Sequence, residues 1–497
     1  RPTLVPRHTM LRAYSATSRR CRRSGNDGST QSRPSHEPTA RTMGSGATWY
    51  VLTRSRLTAP NLQATVGDAN VKATSAGDFT GISNQYAVSP AYITAGQMTF
   101  DITANGNVIG IGSHSGVNLT GKDLTLTTVD NYTSGNSSGS VGMYGIVAGS
   151  SVISGEGGTA DASRNGTFTT VSVGSAKITQ TSVGGTKQPI LNAGLRAIQG
   201  AYQDAGNGSS GKIVVNNDLD MSLSGRRMEG IYVSGAGTSS TGTEAVSQVI
   251  LNGASTINLV NSGGTSADSS AIKVGKSRAV GTGKGLLVSN GALTINMDAS
   301  VVGTQPYHGA AIKMAVSGSQ LLADSATSSN NINASKTALA IGIDDWNSST
   351  DSTGISASFG AATVRTKSTT APLLLVDSGQ QNVQLLFDRG SDLLAASDGY
   401  LLDVIKYRTS TASSSVQLTL DNASKMQGLT NKTYASSTVN VGMSNGSVWN
   451  MAVKTTSPWT STLDALSMTT GSILNAFNQW DAGHTSATQF VMVGQVS

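Results

Sequence analysis

Charge and aromatic rings are scarce in this chain: charged residues fill 12% and aromatic residues 5% of its 497 positions. Soluble helices carry Lys and Glu along their outer faces, so helix surfaces are poorly supplied and an ordinary helix-rich enzyme composition is excluded. Cysteine is nearly absent too, since Cys21 is the only one. A disulfide framework and a thiolate metal site are therefore excluded. A thiol-free body suits a chain that threads a narrow pore unfolded, and it is equally ordinary in cytosolic proteins. No apolar run approaches the roughly 20 residues that a membrane-spanning helix needs.

The polar remainder is mostly Ser, Thr, Asn and Gly, with 58 glycines. These residues suit turns, strand faces and side-chain ladders, and Gly supplies the corners of a chain that turns repeatedly. Hydrophobic residues at 37% still build a core. The composition thus predicts an almost entirely β structure.

The net charge of +6 suggests nucleic acid until it is divided by region. Residues 1–42 hold nine arginines (Arg1, Arg7, Arg12, Arg19, Arg20, Arg22, Arg23, Arg33 and Arg41) against Asp27 and Glu37, which leaves the other 455 residues at −1. Such a body has no basic stripe for phosphates, so no nucleic-acid partner is expected. The tail is rich in Arg, Ser and Pro, lacks apolar periodicity, and is expected to be disordered. It also lacks the apolar segment of about 7 to 15 residues that a secretory signal requires. Two origins remain for it: a signal lies upstream, or the tail is unrelated sequence joined near Met43.

Internal repetition is the strongest signal. One unit is strand, tight bend, strand: Val249-Ile250-Leu251-Asn252-Gly253-Ala254-Ser255-Thr256-Ile257-Asn258-Leu259 matches Leu287-Val288-Ser289-Asn290-Gly291-Ala292-Leu293-Thr294-Ile295-Asn296-Met297. Looser copies bend at Arg389-Gly390, Asn422 and Asn445-Gly446, and two more run over 117–126 and 214–223. The second unit is a short apolar strand, as in Gly145-Ile146-Val147, Gly230-Ile231-Tyr232-Val233, Ala271-Ile272-Lys273-Val274, Ala311-Ile312-Lys313-Met314, Leu339-Ala340-Ile341, Leu373-Leu374-Leu375-Val376 and Leu401-Leu402-Asp403-Val404. The units alternate along the chain. A lone Asn-Gly pair reads as an antiparallel hairpin, but a third strand between successive pairs points to a solenoid corner. The expected fold is all-β, a right-handed parallel β-helix. At about 20 to 25 residues per turn it has roughly 20 coils and a length of about 100 Å.

The stretch Asn445-Gly446-Ser447-Val448-Trp449-Asn450-Met451, then Pro458-Trp459-Thr460, Ser461-Thr462-Leu463-Asp464-Ala465-Leu466-Ser467-Met468 and Gly471-Ser472-Ile473, resembles the end of a pertactin-like autotransporter (type V secretion) passenger. The resemblance implies a β-helix body over 43–440 and a folding, or autochaperone, segment over 441–497, with Trp449, Leu463, Leu466, Met468 and Ile473 pointing inward. It also implies a non-enzymatic module at the bacterial cell surface, on the outer membrane or secreted, that engages host or neighbouring-cell surfaces or associates with itself. No series of amphipathic membrane strands is recognisable. The outer-membrane translocator barrel is therefore expected outside this chain.

Catalytic patterns are few. Gly135-Asn136-Ser137-Ser138-Gly139 fits G-x-S-x-G, but Gly and Ser are so common that chance explains it. Gly275-Lys276-Ser277 resembles the end of a phosphate loop, yet Ser270 stands where its first Gly belongs and no helix is expected after it. The body's histidines, His114, His308 and His484, read as coil-surface residues. No cofactor is expected, and the G-G-x-G-x-D repeat of calcium-stacked rolls is absent. The enzymatic alternative is a secreted or phage-borne polysaccharide lyase or hydrolase. Its site would be Asp344, Asp345 and Asp351 around Trp346, because two carboxylates beside an aromatic platform suit glycan cleavage. Asp218 and Asp220 form a second pair on one strand face. The plainer reading of both groups is turn formation.

Overall fold

Three strands recur in a fixed cycle. Ser210–Val215, Leu219–Gly225 and Met228–Ser234 are followed by Ser247–Leu251, Ser255–Asn261 and Ser270–Val274, and each of the second three pairs in parallel with its counterpart in the first. Repetition of this cycle stacks three long parallel sheets of 14, 12 and 14 strands. Sheet I contains Leu219–Gly225, sheet II Met228–Ser234 and sheet III Ser210–Val215. The chain is a parallel β-helix.

The computed structural model describes residues 63–475 except 76, 85–90, 114–116, 131–141, 150–167, 183–191, 199–209, 226, 236–245, 262–268, 279–280, 300–306, 344–350, 408–410 and 452–460; it adds the strands Arg41–Thr42, Trp49–Tyr50 and Val491–Val496. Among the described residues there is no helix. Cys21 and all the basic tail but its end lie outside them, and Arg41–Thr42, at that end, pairs with Ala73–Thr74. The sheets also run on through the expected boundary between 440 and 441, which falls inside the strand Thr438–Met443.

The expected coil number needs correction. The stack is about 14 layers deep rather than 20, because coils are longer than 20 to 25 residues wherever loops leave the corners. Bonded corner positions are 52 residues apart between Asp123 and Ser175, but only 23 apart between Asp421 and Ser444. At a strand spacing of about 4.8 Å the stack is roughly 65 Å long.

Alternation decides what points inward. In sheet I one column holds Phe100, Leu126, Ile178, Met221, Ile257, Ile295, Ile332, Val364, Leu393, Met426 and Trp449, each in register with the next. All are at most 2% exposed. Removing such a side chain from water stabilises the fold by about 1.5–3 kcal/mol each. In sheet III, Phe359 stacks on Phe387 with ring centroids 5.3 Å apart.

Sheet II differs from its partners. Its strands Val108–Ser113, Met143–Ala148 and Met228–Ser234 are buried on both faces, which explains their largely apolar character in the sequence. Outward residues there include a buried ion pair, Lys273 Nζ to Glu229 Oε1 at 3.5 Å, and Arg196, whose guanidinium lies 5.2 Å from the Tyr144 ring and 5.7 Å from that of Tyr232.

Candidate binding surface

The outer face of sheet I carries the most regular polar array. Lys72, Asp101, Thr127, Thr179, Ser222, Asn258, Asn296, Asn333 and Arg365 follow one another in register, one per coil. Beside them runs a second column, Thr99, Thr125, Lys177, Asp220, Thr256, Thr294, Asn331 and Thr363. Parallel pairing in strict register forces like residues on like, so a repeat in sequence becomes a ladder in space.

The asparagines bond along this ladder. Asn296 Nδ2 donates to Asn258 Oδ1 at 2.9 Å, and Asn333 Nδ2 donates to Asn296 Oδ1 at 2.9 Å. A primary amide has two N–H groups and two carbonyl lone pairs. Asn296 therefore keeps one donor and one acceptor for a ligand, in an orientation fixed by its neighbours. At one end Lys72 Nζ meets Asp101 Oδ2 at 2.8 Å, and the hydrogen bond to Asp101, helped by its charge, holds the Lys72 ammonium above its ordinary pKa. At the other end Arg365 Nη1 donates to the Asp392 carbonyl at 2.7 Å, and Nη2 meets the Asp392 carboxylate.

A shallow hollow of about 390 Å³ opens over the asparagines. Its floor is Asn258, Asn296 and Asn333, with Val260 and Asp298 on one flank and Arg365 near its end. Val260 is 48% exposed, a rare apolar contact on this face. Amide pairs, an aliphatic contact and ions of both signs can hold a polar polymer laid along the rod. Among the described residues no three His, Cys, Asp or Glu side chains stand close enough to share a metal ion.

Of the carboxylates singled out in the sequence, Asp218, Asp220 and Asp351 lie among the described residues. Asp344 and Asp345, with Trp346, lie outside the described residues, as do His114, His484 and the stretch 135–139. Asp351 is exposed and directly precedes Ser352–Thr353, a short strand paired with Gln380–Gln381. Asp218 accepts the Ala254 N–H at 3.0 Å, whereas Asp220 stands on the outer face of sheet I. Asp68, Asp78 and Asp123 do what Asp218 does: each stands just before a strand and takes an N–H of the next coil, from Gln97, Asn107 and Ser175, at 2.7–2.8 Å. These acids hold corners together. His308 packs its ring edgewise on Tyr307, with centroids 4.6 Å apart. Gly275-Lys276-Ser277 leads into an antiparallel hairpin, Lys276–Arg278 with Gly281–Gly283.

The C-terminal residues divide. Trp449 is fully buried, and Leu463 and Leu466 are each 3% exposed. Met468 is partly buried against the core. Ile473, expected inward, is 49% exposed, and its neighbour Leu474 packs against the core in register with Trp449. The expectation fails because the strand Ile473–Asn475 is short and only its middle residue faces the lumen.

The ladder asparagines were legible but unread: Asn258 and Asn296 occupy equivalent places in the two matching repeats. Arg365 and the buried pair Glu229 and Lys273 carried no local signal, since their partners lie on other coils. No protein-family model, curated protein or solved structure matches this chain.

Proposed function

We propose that this chain is a non-enzymatic adhesive rod of the bacterial cell surface, comparable in role to an autotransporter passenger. Its sheet I face engages polar polymers on host or neighbouring cells, and contact between rods is the second kind of association it makes. The observation that carries this reading is the bonded ladder Asn258, Asn296 and Asn333 under an open hollow, which presents the same pair of amide groups once per coil. Asp68, Asp78, Asp123 and Asp218 are committed to corner amides, which favours a binding role over glycan cleavage. The resemblance at Trp449 to Ile473 supports placement at the outer membrane, with the translocator barrel as a separate partner.

Display on bacteria as a fusion to an autotransporter barrel tests the reading. Displayed wild-type chain is expected to bind cells or glycan arrays, and Asn296→Ala with Arg365→Ala to lower binding at least tenfold at equal display. Equal binding by that variant would remove sheet I from the mechanism. Glycan cleavage abolished by Asp351→Asn would replace adhesion with polysaccharide processing.

A further inference from the structure

The three sheets present different outer surfaces, and that of sheet III carries an apolar stripe where that of sheet I is polar. Val214, Ile250, Val288 and Leu322 stand in one outward column on four consecutive coils, in register and partly exposed. Leu286 lies beside them in the next column. Toward the N-terminal end the same face carries Tyr92 and Phe168, two of the four large hydrophobic residues that are exposed among the described residues, at 46% and 40%. In the other direction Leu386 continues the Val214 column beyond Ser358.

We infer that this face of sheet III is a homotypic docking surface, on which a second copy of the chain lies through the stripe from Val214 to Leu322. The inference deepens the self-association part of the proposed function, and its test is separate from that of sheet I. A two-fold interface places a patch against itself, so the patch must be self-complementary. Here the rims allow that. Asn216, Asn252 and Asn290 follow one edge, with Asn290 Nδ2 bonded to Asn252 Oδ1 at 2.8 Å, and Gln248 and Gln320 stand on the other. Amides both donate and accept, so along the asparagine edge Asn252 can face Asn290 without charge repulsion. With the rods antiparallel, Val214 faces Leu322 and Ile250 faces Val288. Lys212 then faces Gln320 instead of another lysine.

Size favours a second rod over a compact partner. The apolar stripe itself spans four coils, and the outward face that continues it in both directions, from Tyr92 to Leu386, covers nine. At about 4.8 Å per coil and five residues per strand it offers roughly 700 Å². A stable complex buries about 800 Å² per partner.

The test is sedimentation of the full chain by analytical ultracentrifugation over a wide concentration range, beside Ile250→Thr/Val288→Thr. Threonine occupies the same column naturally at Thr94, Thr120 and Thr419, so the variant is compatible with the fold, and an unchanged melting temperature verifies it. Wild type is expected to be dimeric, and the variant to dimerise about a hundredfold more weakly, because each substitution acts twice across a two-fold axis. Asn296→Ala on sheet I is expected to dimerise as wild type. A monomeric wild type at every concentration overturns the inference, and so does a variant that dimerises as strongly as wild type.

Discussion

Trp449 donates its indole Nε1–H to the carbonyl of Gly428 at 2.9 Å, from a position in the lumen directly in register with Met426. The bond ties one sheet I strand to the corner that follows its predecessor. It also satisfies the one polar atom of the largest fully buried side chain. Trp449→Ala removes both the packing and the bond, and is expected to cost about 3–5 kcal/mol. Trp449→Phe keeps most of the packing but orphans the Gly428 carbonyl, for about 1–3 kcal/mol. Denaturant unfolding of the two variants separates these contributions: a phenylalanine variant as stable as wild type would show that the hydrogen bond is immaterial, and equal losses that the packing adds nothing beyond it.

Asp464 interrupts the alternation of its strand. Leu463 and Leu466 both face the core with Asp464 and Ala465 between them, one residue more than strict alternation allows. At this bulge the Asp464 carboxylate accepts the Val439 N–H at 2.7 Å and pairs with Lys432 Nζ at 2.6 Å. Asp464→Ala leaves that amide without its acceptor and the lysine without its ion. A loss of about 1–2 kcal/mol is expected. Hydrogen exchange should speed at Val439 well before it changes in sheet II; uniform acceleration across the chain would contradict a local role.

Much of the architecture was readable because both repeat units obey local rules. Val249 to Leu259 and Leu287 to Met297 became sheet III and sheet I strands around a corner, and the short apolar strands became members of sheet II, consecutive from Gly230 to Val404. Coil number was misjudged since loop length between strands carries no periodic signal. Ile473 was misplaced because a three-residue strand shows no alternation from which its lumen side could be read. The sheet I ladder was half visible, for Asn258 and Asn296 match by sequence, whereas Arg365 joins them only through the register of separate coils.

Acid should loosen the C-terminal corners. Asp421 accepts hydrogen bonds from Ser444 Oγ and Asn445 Nδ2, both at 2.7 Å, and from the Asn422 N–H at 2.8 Å. The Ser444 bond leads in holding its pKa below the ordinary carboxylate value, with the two Asn bonds acting in the same direction against burial. A depressed folded-state pKa gives stability that is present above the unfolded value of about 4 and is lost as pH falls through the folded one. Asp421→Asn cannot titrate. Its melting temperature is therefore expected to lie below that of wild type at neutral pH, and the gap to close as pH falls below about 4. A gap independent of pH would exclude Asp421 from the acid response.

Glycines serve two separable purposes in this rod, and substitution distinguishes them. Gly145 lies in sheet II, where an added Cβ would stand 2.4 Å from the Gly194 carbonyl oxygen and 2.8 Å from Ile178 Cδ1. Gly446 lies in the corner after Asn445 with φ at 76°, and nothing stands within 4 Å of its would-be Cβ. Gly145→Ala should therefore act through overpacking, for about 1–3 kcal/mol. Gly446→Ala should act through the left-handed backbone, for about 1–2 kcal/mol. Asparagine tolerates that backbone and already adopts it at Asn422 and Asn445. Gly446→Asn should accordingly recover most of the loss seen with alanine, while Gly145→Asn, bulkier in a closed space, should be worse than Gly145→Ala. Thermal melts of the four variants decide the matter, and recovery by asparagine at both positions would refute the distinction.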